Sequence, residues 1–247
     1  LFLYYGNPSA SSASNGTATF LFFDGFDDGV LSSDWTVVSG TWTETDGVLE
    51  GYAGSSNGII VASYTGGNYA IDVKMKSISP GTTSVMAILA RYQDSNNYYR
   101  SDVRDTQDVI QIYSYVAGSY NLLVGESKSI QTNVWYSVSF RLFGSNLKLY
   151  VDGDVISATD TTYTSGNVGL HCFHATNYYD DFRVRKYTEP EPSASVGAEE
   201  ALSLKLENLQ GFSSTQVQIR SQPDSAAGAV SWINYTLLVN GSLWEQQ

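Results

Sequence analysis

Between residues 68 and 187 this chain repeats one pattern: short runs in which apolar and polar side chains alternate. The runs are NYAIDVKMK, TSVMAILARY, NNYYRSDVR, DVIQIYSYV, WYSVSFRLF, NLKLYVDG, NVGLHCF and YYDDFRVRKY. They are rich in Val, Ile, Tyr and Phe, and Gly, Asn, Asp, Ser or Thr bounds them. Successive side chains of a strand point to opposite faces, so a period of two puts one face in a core and the other in solvent. A succession of such strands predicts an all-β, two-sheet antiparallel jelly-roll sandwich. Function on such a platform sits on an exposed sheet face or on loops.

The flanks carry more strands. Residues 1–16 hold an apolar strand, LFLYY, and then a small-residue connector, GNPSASSASNG. Residues 17–66 contain further short runs with turn signals at Ser39-Gly40, Asp46-Gly47 and Gly66-Gly67, where glycine accepts positive φ. Together these predict about twelve strands, for which two packed sheets are the economical arrangement. After residue 187 the text changes to TEPEPSASVGAEE, a linker composition, and then to ALSLKLENL, STQVQIRSQ and VSWINYTLLVNGSLW, about three further strands. The expected organisation is a terminal strand and linker of a preceding module (1–19), a jelly roll (20–187), a linker (188–200) and a C-terminal β segment (201–247). About fifty residues without a disulfide make a poor independent domain. This segment is therefore expected to complete its sheet with residues 1–23, with a partner chain or with further sequence. The opening LFLYYG reads as a cut or processed end within a longer polypeptide.

Composition narrows the function. A formal net charge of −12 argues against a general nucleic-acid partner, since phosphate binding needs basic patches. The basic cluster Arg183, Arg185 and Lys186 reads as a solvated strand end. Hydrophobic residues make up 42% of the chain, enough for a sizeable core, yet no apolar run is long enough to span a bilayer. Cys172 is the single cysteine, so no intrachain disulfide forms, and its parity with Val168 and Leu170 predicts a buried thiol. Three sequons, at Asn15, Asn234 and Asn240, permit glycosylation if the chain is exported.

The run FFDGFDDGVLSSDWTVVSGTWTETDGVLEG resembles the opening of the concanavalin A-like, laminin G-like jelly rolls. RYQDSNNYYRSDVR and NVWYSVSFRLFGSNLKLYVDG are similar to their central strands, and NVGLHCFHATNYYDDFRVRKY to their closing strand. The resemblance covers about residues 20–187 in the right order. The N-terminal flank resembles the end of an uncharacterised β module that precedes such jelly rolls in prokaryotic surface proteins, and RKYTEPEPSASVGAEE resembles their exit linker. The resemblance implies an extracellular, cell-surface or filament component.

The fold family includes glycoside hydrolases, which need two carboxylates flanking the scissile bond. In the hydrolases of this fold these acids sit on one strand as Glu-x-Asp-x-x-Glu, a triplet this chain lacks; Glu44-Thr45-Asp46 has the first spacing without the third acid, and Glu199 and Glu200 lie in the linker. No serine sits in a G-x-S-x-G elbow. His171 and His174, three apart in a strand, should point to opposite faces rather than share a metal. A non-catalytic module is therefore expected. For a metal, a structural Ca²⁺ is the expectation, with hydrogen bonds from backbone N–H groups and Arg183 or Arg185 as the alternative: Asp24, Asp27 and Asp28 cluster at the domain entry, Asp180 and Asp181 in the closing strand, and first and last strands of a jelly roll are often neighbours. Asp180 has the parity of apolar Phe182 and Val184, and an inward carboxylate needs a cation or several donors.

Parity also locates a ligand face. Ile110 and Ile112 face the core, which leaves Gln111, Tyr113 and Tyr115 outside. Val103 faces inward with Tyr99 and Ser101, so Tyr98, Arg100, Asp102 and Arg104 face outward, and His171 lies outward between Gly169 and Phe173. If these strands are neighbours, Arg100, Asp102, Gln111, Tyr113, Tyr115 and His171 share one wet surface suited to a glycan or a protein edge. Three readings follow: lectin-like binding of glycan or protein at the cell surface; a structural subunit of an extracellular assembly joined through terminal strands by β-augmentation; and, only as what the resemblance implies, a glycoside hydrolase of the same fold.

Overall fold

The computed structural model describes residues 14–193, 195, 217–220 and 232–235. The terminal LFLYY and ALSLKLENL segments, Glu199, Glu200 and Asn240 lie outside the described residues. The chain divides into two compact units, Leu1–Ser193 and Ala194–Gln247.

The first unit is nearly all strand. A one-turn helix, α1 (Gly16–Thr19), starts at Asn15, whose side-chain oxygen caps the Ala18 N–H. The strands are β1 (Phe22–Asp24), β2 (Trp35–Ser39), β3 (Thr41–Thr45), β4 (Val48–Gly66), β5 (Tyr69–Asp94), β6 (Asn97–Arg104), β7 (Val109–Val116), β8 (Ser119–Ser127), β9 (Tyr136–Phe143), β10 (Asn146–Val151), β11 (Asp154–Thr159) and β12 (Gly166–Lys186). All pair antiparallel in one continuous system.

Three long strands fold that system into two layers. β5 pairs β9 over Tyr69–Met75 but β6 over Met86–Asp94, and β12 lies beside it throughout. β4 pairs β3 up to Tyr52 and β2 from Ile59. One layer is therefore β11-β10-β9-β5-β12-β4-β3, with β1 on the far end of β12; the other is β8-β7-β6-β5-β12-β4-β2. The corner lies where the β12 register jumps between Phe173 and Ala175, opposite extra residues in β4 (54–56) and β5 (81–84). Bulges of this kind are how a strand passes from one sheet to the other.

This corrects three sequence readings. NYAIDVKMK and TSVMAILARY are one strand, as are NVGLHCF and YYDDFRVRKY: the Ser, Pro and Gly of residues 77–82 and the His-Ala-Thr-Asn of residues 174–177 mark a corner rather than reversals. Of the three expected tight hairpins, only Asp46-Gly47 is one: Thr45 pairs Val48 across φ values of 52° and 75°. Gly66-Gly67 joins strands that lie on opposite sides of β12, and Ser39-Gly40 hands the chain from β2 to β3 along one neighbour, β4. Gly40 is required there, since at φ 79° a Cβ would lie 2.8 Å from Gly58 Cα.

The core between the layers holds Trp35, Ile71, Met75, Ile88, Tyr99, Val103, Ile112, Phe140, Leu149, Leu170, Cys172, Tyr179 and Phe182. Burial pushes the Cys172 thiol up to about 12. Arg91, also buried, spreads its guanidinium over the carbonyls of Gly67, Gly144 and Tyr163, and so ties three loops together at one end of the sandwich. Of the segment read as a linker, residues 188–191 lie against the first layer: Glu191 bonds Arg141 and Arg185, and Glu189 bonds Lys148. In the second unit β13 (Val217–Arg220) pairs antiparallel with β14 (Trp232–Tyr235), the strand that carries Asn234.

Candidate ligand site

The outer face of the second layer is organised in rows set by strand register. One row runs Ile59, His171, Ala87, Asp102, Gln111; the next runs Val61, Gly169, Leu89, Arg100, Tyr113. A third pairs Tyr98 with Tyr115 and Tyr120. Thus Arg100, Asp102, Gln111, Tyr113, Tyr115 and His171 come together on one face. Beside this polar group Ile59, Val61, Leu89, Tyr92 and Tyr98 form a buried apolar cluster, with Tyr115 packed against it. An alanine at Gly169 would put its Cβ 2.3 Å from the Ile60 carbonyl oxygen.

The face is not the wet surface that alternation predicts. Arg100 is 6% exposed and Asp102 and His171 are 0% exposed. Long side chains cover one another here. Arg100 donates from Nε and Nη2 to the two Asp102 oxygens at 2.6 and 2.8 Å, and from Nη1 to the Tyr120 hydroxyl at 2.6 Å. Its plane lies 4.3 Å from the Tyr120 ring centroid and 5.5 Å from that of Tyr113. Burial works against the Arg100 charge, but the Asp102 carboxylate and the tyrosine oxygens outweigh it, and the net shift is upward. Desolvation, with the Arg100 charge added, drives the His171 pKa well below the usual imidazole value, so the ring is neutral. Its Nε2 lies 3.0 Å from Asn57 Oδ1 and 3.5 Å from Arg100 Nη1, while Nδ1 has no hydrogen-bond partner.

Around this polar centre stand rings. Tyr92, Tyr98, Tyr115 and Tyr120 follow one another at centroid spacings of 5.8, 4.8 and 4.1 Å. Tyr113 and Arg104 both donate to Gln111 Oε1. Tyr120 is 43% exposed, and the neighbouring Leu122 on the same edge strand 51%. Tyr92 and Tyr98 are buried, while Tyr113 and Tyr115 are partly exposed; with Tyr120 they form a rim that can stack on an apolar ring face while offering hydroxyl partners.

Two contributors escape the sequence reading. Tyr120 sits on β8, a strand that strict alternation does not flag because most of its residues are exposed. The signal was the two-residue turn Ala117-Gly118, both at positive φ, which closes a hairpin between Val116 and Ser119. Asn57 lies in a Gly- and Ser-rich stretch that reads as loop.

The acidic residues are arranged otherwise than expected. β1 does lie beside β12, with Asp24 opposite Phe182. Yet Asp24 accepts from the Phe26 N–H and Trp35 Nε1, and Asp180 and Asp181 both bind Lys74. Asp27 is exposed. Asp180 does not share the inward parity of Phe182: a bulge at Asp181, φ 53°, turns both aspartates outward between the buried Tyr179 and Phe182. The carboxylate that is buried at the domain entry is Glu44, 6% exposed, which accepts from the Gly29 N–H through Oε1 and has no partner on Oε2. Desolvation raises its pKa, the Gly29 N–H opposes this, and the charges of Asp24 and Asp28 add to it. Among the described residues no group of three or more His, Cys, Asp or Glu is arranged to hold a metal ion. His174 stands apart from His171. It sits at the corner bulge with φ 49°, bonded to Thr83 Oγ1 and stacked on Phe173. No helix among the described residues is long and apolar enough to cross a membrane.

Residues 1–44 match a family model described as a domain of unknown function, DUF2341, which takes in the N-terminal flank and the first three strands. Over 152 residues, 60% of this chain, the sequence is 27% identical to levanase of Bacillus subtilis; the match spans 22% of levanase. Among solved structures, a carbohydrate-binding module, CBM66, of Bacillus subtilis superposes with a TM-score of 0.59 at 22% identity, over 62% of this chain and 96% of that one. A Bacillus subtilis protein of unknown function with a galectin-like fold gives 0.56 at 11% identity, over 68% and 96%. A GH43 protein of Bacillus licheniformis gives 0.55 at 18% identity, over 67% of this chain and 39% of that one. These likenesses show the fold: an antiparallel β-sandwich of the kind found in carbohydrate-binding modules.

Proposed function

We propose that the first unit is a non-catalytic carbohydrate-binding module of an extracellular or cell-surface protein. Its ligand site is the second-layer face built on Arg100, Asp102, Gln111, Tyr113, Tyr115, Tyr120 and His171. The observation that carries this reading is the Arg100 guanidinium, locked by Asp102 in the middle of the face and covered by Tyr113 and Tyr120. Such a centre fixes the tyrosines over it, whose rings stack on sugar C–H faces and whose hydroxyls offer hydrogen-bond partners. The likeness to a carbohydrate-binding module and to part of a levanase supports a glycan as the ligand. Asp102 has both oxygens taken by Arg100, which leaves it unfit as a free acid or base on this face.

The test is titration calorimetry with levan, inulin, xylan and β-glucan. The expected result is binding to at least one of them, weakened about three- to tenfold in Tyr120→Ala, the range for one aromatic contact. Turnover of any of these polymers, abolished by one carboxylate substitution, would replace the reading with a hydrolase. Binding to none would remove it.

A further inference from the structure

At the corner where β4, β5 and β12 change layers there is a shallow depression of about 340 Å³ lined by Tyr52, Gly54, Ser79, Pro80, His174 and Thr176. Its size falls within the roughly 300–1,000 Å³ of small-molecule sites. Tyr52, Thr176 and Ser79 form one cross-strand row, so a half-exposed ring and two hydroxyls lie side by side. Ala53 and Ala175, opposite each other in the adjacent row, are buried and turn their side chains to the other face of the strands. His174 forms its wall, and the backbone there is held in the left-handed region, φ 49°, which side chains other than glycine rarely adopt. Here Thr83 fixes Nδ1, and the Phe173 ring lies parallel at 4.2 Å.

The depression is joined to the face described above. Phe173 pairs with Asn57, and Asn57 bonds His171, the neighbour of Arg100. Phe173 and its partner Asn57 lie between His171 and the depression, so a ligand that touches both has to pass over them. We infer that the ligand site is a two-part groove: the Arg100 centre holds one sugar unit, and the corner depression is a second subsite that holds a later unit of the same glycan chain, between the Tyr52 ring and the His174 edge. This rests on the carbohydrate-binding reading and deepens it, because it makes the ligand an oligosaccharide rather than an isolated terminal sugar.

The experiment measures affinity for one- to six-unit oligosaccharides of levan and xylan in the wild type, Tyr52→Ala, His174→Gly and Tyr120→Ala. Tyr52 is exposed and glycine accepts φ 49°, so the two corner variants keep the fold. The expected result is an affinity that rises up to about tenfold beyond one or two units. Tyr52→Ala and His174→Gly should remove that rise and leave the affinity for a single unit unchanged, whereas Tyr120→Ala should weaken every length. A length profile that is flat in the wild type, or a rise that survives both corner variants, overturns the second subsite while leaving the Arg100 site standing. Binding at no length overturns both.

Discussion

Arg100 and Asp102, two residues apart on β6, face the same way, and both oxygens of the buried Asp102 carboxylate are bonded by the Arg100 guanidinium. A strand makes this possible because residues i and i+2 share a face. Removing one partner strands the other. Asp102→Ala is expected to destabilise by about 3–5 kcal/mol, whereas the double change Arg100→Met, Asp102→Leu stays within a few kcal/mol of the wild type on either side. Chemical denaturation of the three proteins checks this. A double variant as unstable as Asp102→Ala would mean that the pair itself, not the uncompensated charge, holds the layer.

His171 links stability to pH. Its folded pKa lies well below that of the unfolded chain, so between the two values the unfolded state binds more protons. The stability it contributes is complete above the ordinary imidazole value, about 6.5, and is lost as pH falls from there toward the folded pKa. The slope from this residue approaches ~1.4 kcal/mol per pH unit. His171→Gln is expected to flatten the stability profile between pH 6 and 4.5. An unchanged slope would place the acid sensitivity elsewhere.

Glu44 offers a test of the domain entry. Its carboxylate is buried beside Asp24 and Asp28 and its proton affinity is raised by desolvation and by their charges. Glu44→Gln keeps the acceptor for Gly29 and removes the repulsion, so the melting temperature should rise, by roughly 2–4 °C for each ~1 kcal/mol gained. A fall in melting temperature, with chelator sensitivity in the wild type but not the variant, would instead put a cation among these carboxylates.

How far the site was legible depended on where the alternation held. Within 98–104, 109–116 and 169–173 the strands are regular, and parity put Arg100, Asp102, Gln111, Tyr113, Tyr115 and His171 on one face. Parity failed at Asp180, because one extra residue at Asp181 reverses every side chain beyond it. Burial was not legible either: period two says which way Arg100 points, not that Tyr113 and Tyr120 will close over it. Nor do Ser, Pro and Gly distinguish a corner from a hairpin, since both need the same local freedom. His174 was legible as a residue, but its left-handed backbone was not.

Cys172 should be inert while the chain is folded. Burial holds its thiol protonated, with a pKa of about 12, and Gly58 packs over the sulfur so closely that a Cβ there would lie 2.5 Å away. The thiolate is the reactive form, so a maleimide at pH 8 is expected to label Cys172 only in denaturant. Labelling of the native protein at the rate of free thiol would show that the β4–β12 contact opens readily.

β4, β5 and β12 each belong to both layers. The two sheets are therefore not separate bodies pressed together by their core; they share covalent backbone along three lines. A slide or a hinge opening of one layer against the other would have to bend peptide chain at all three corners at once. The sandwich behaves as a folded sheet of fixed crease, and whatever is bound along that crease meets a shape set before it arrives.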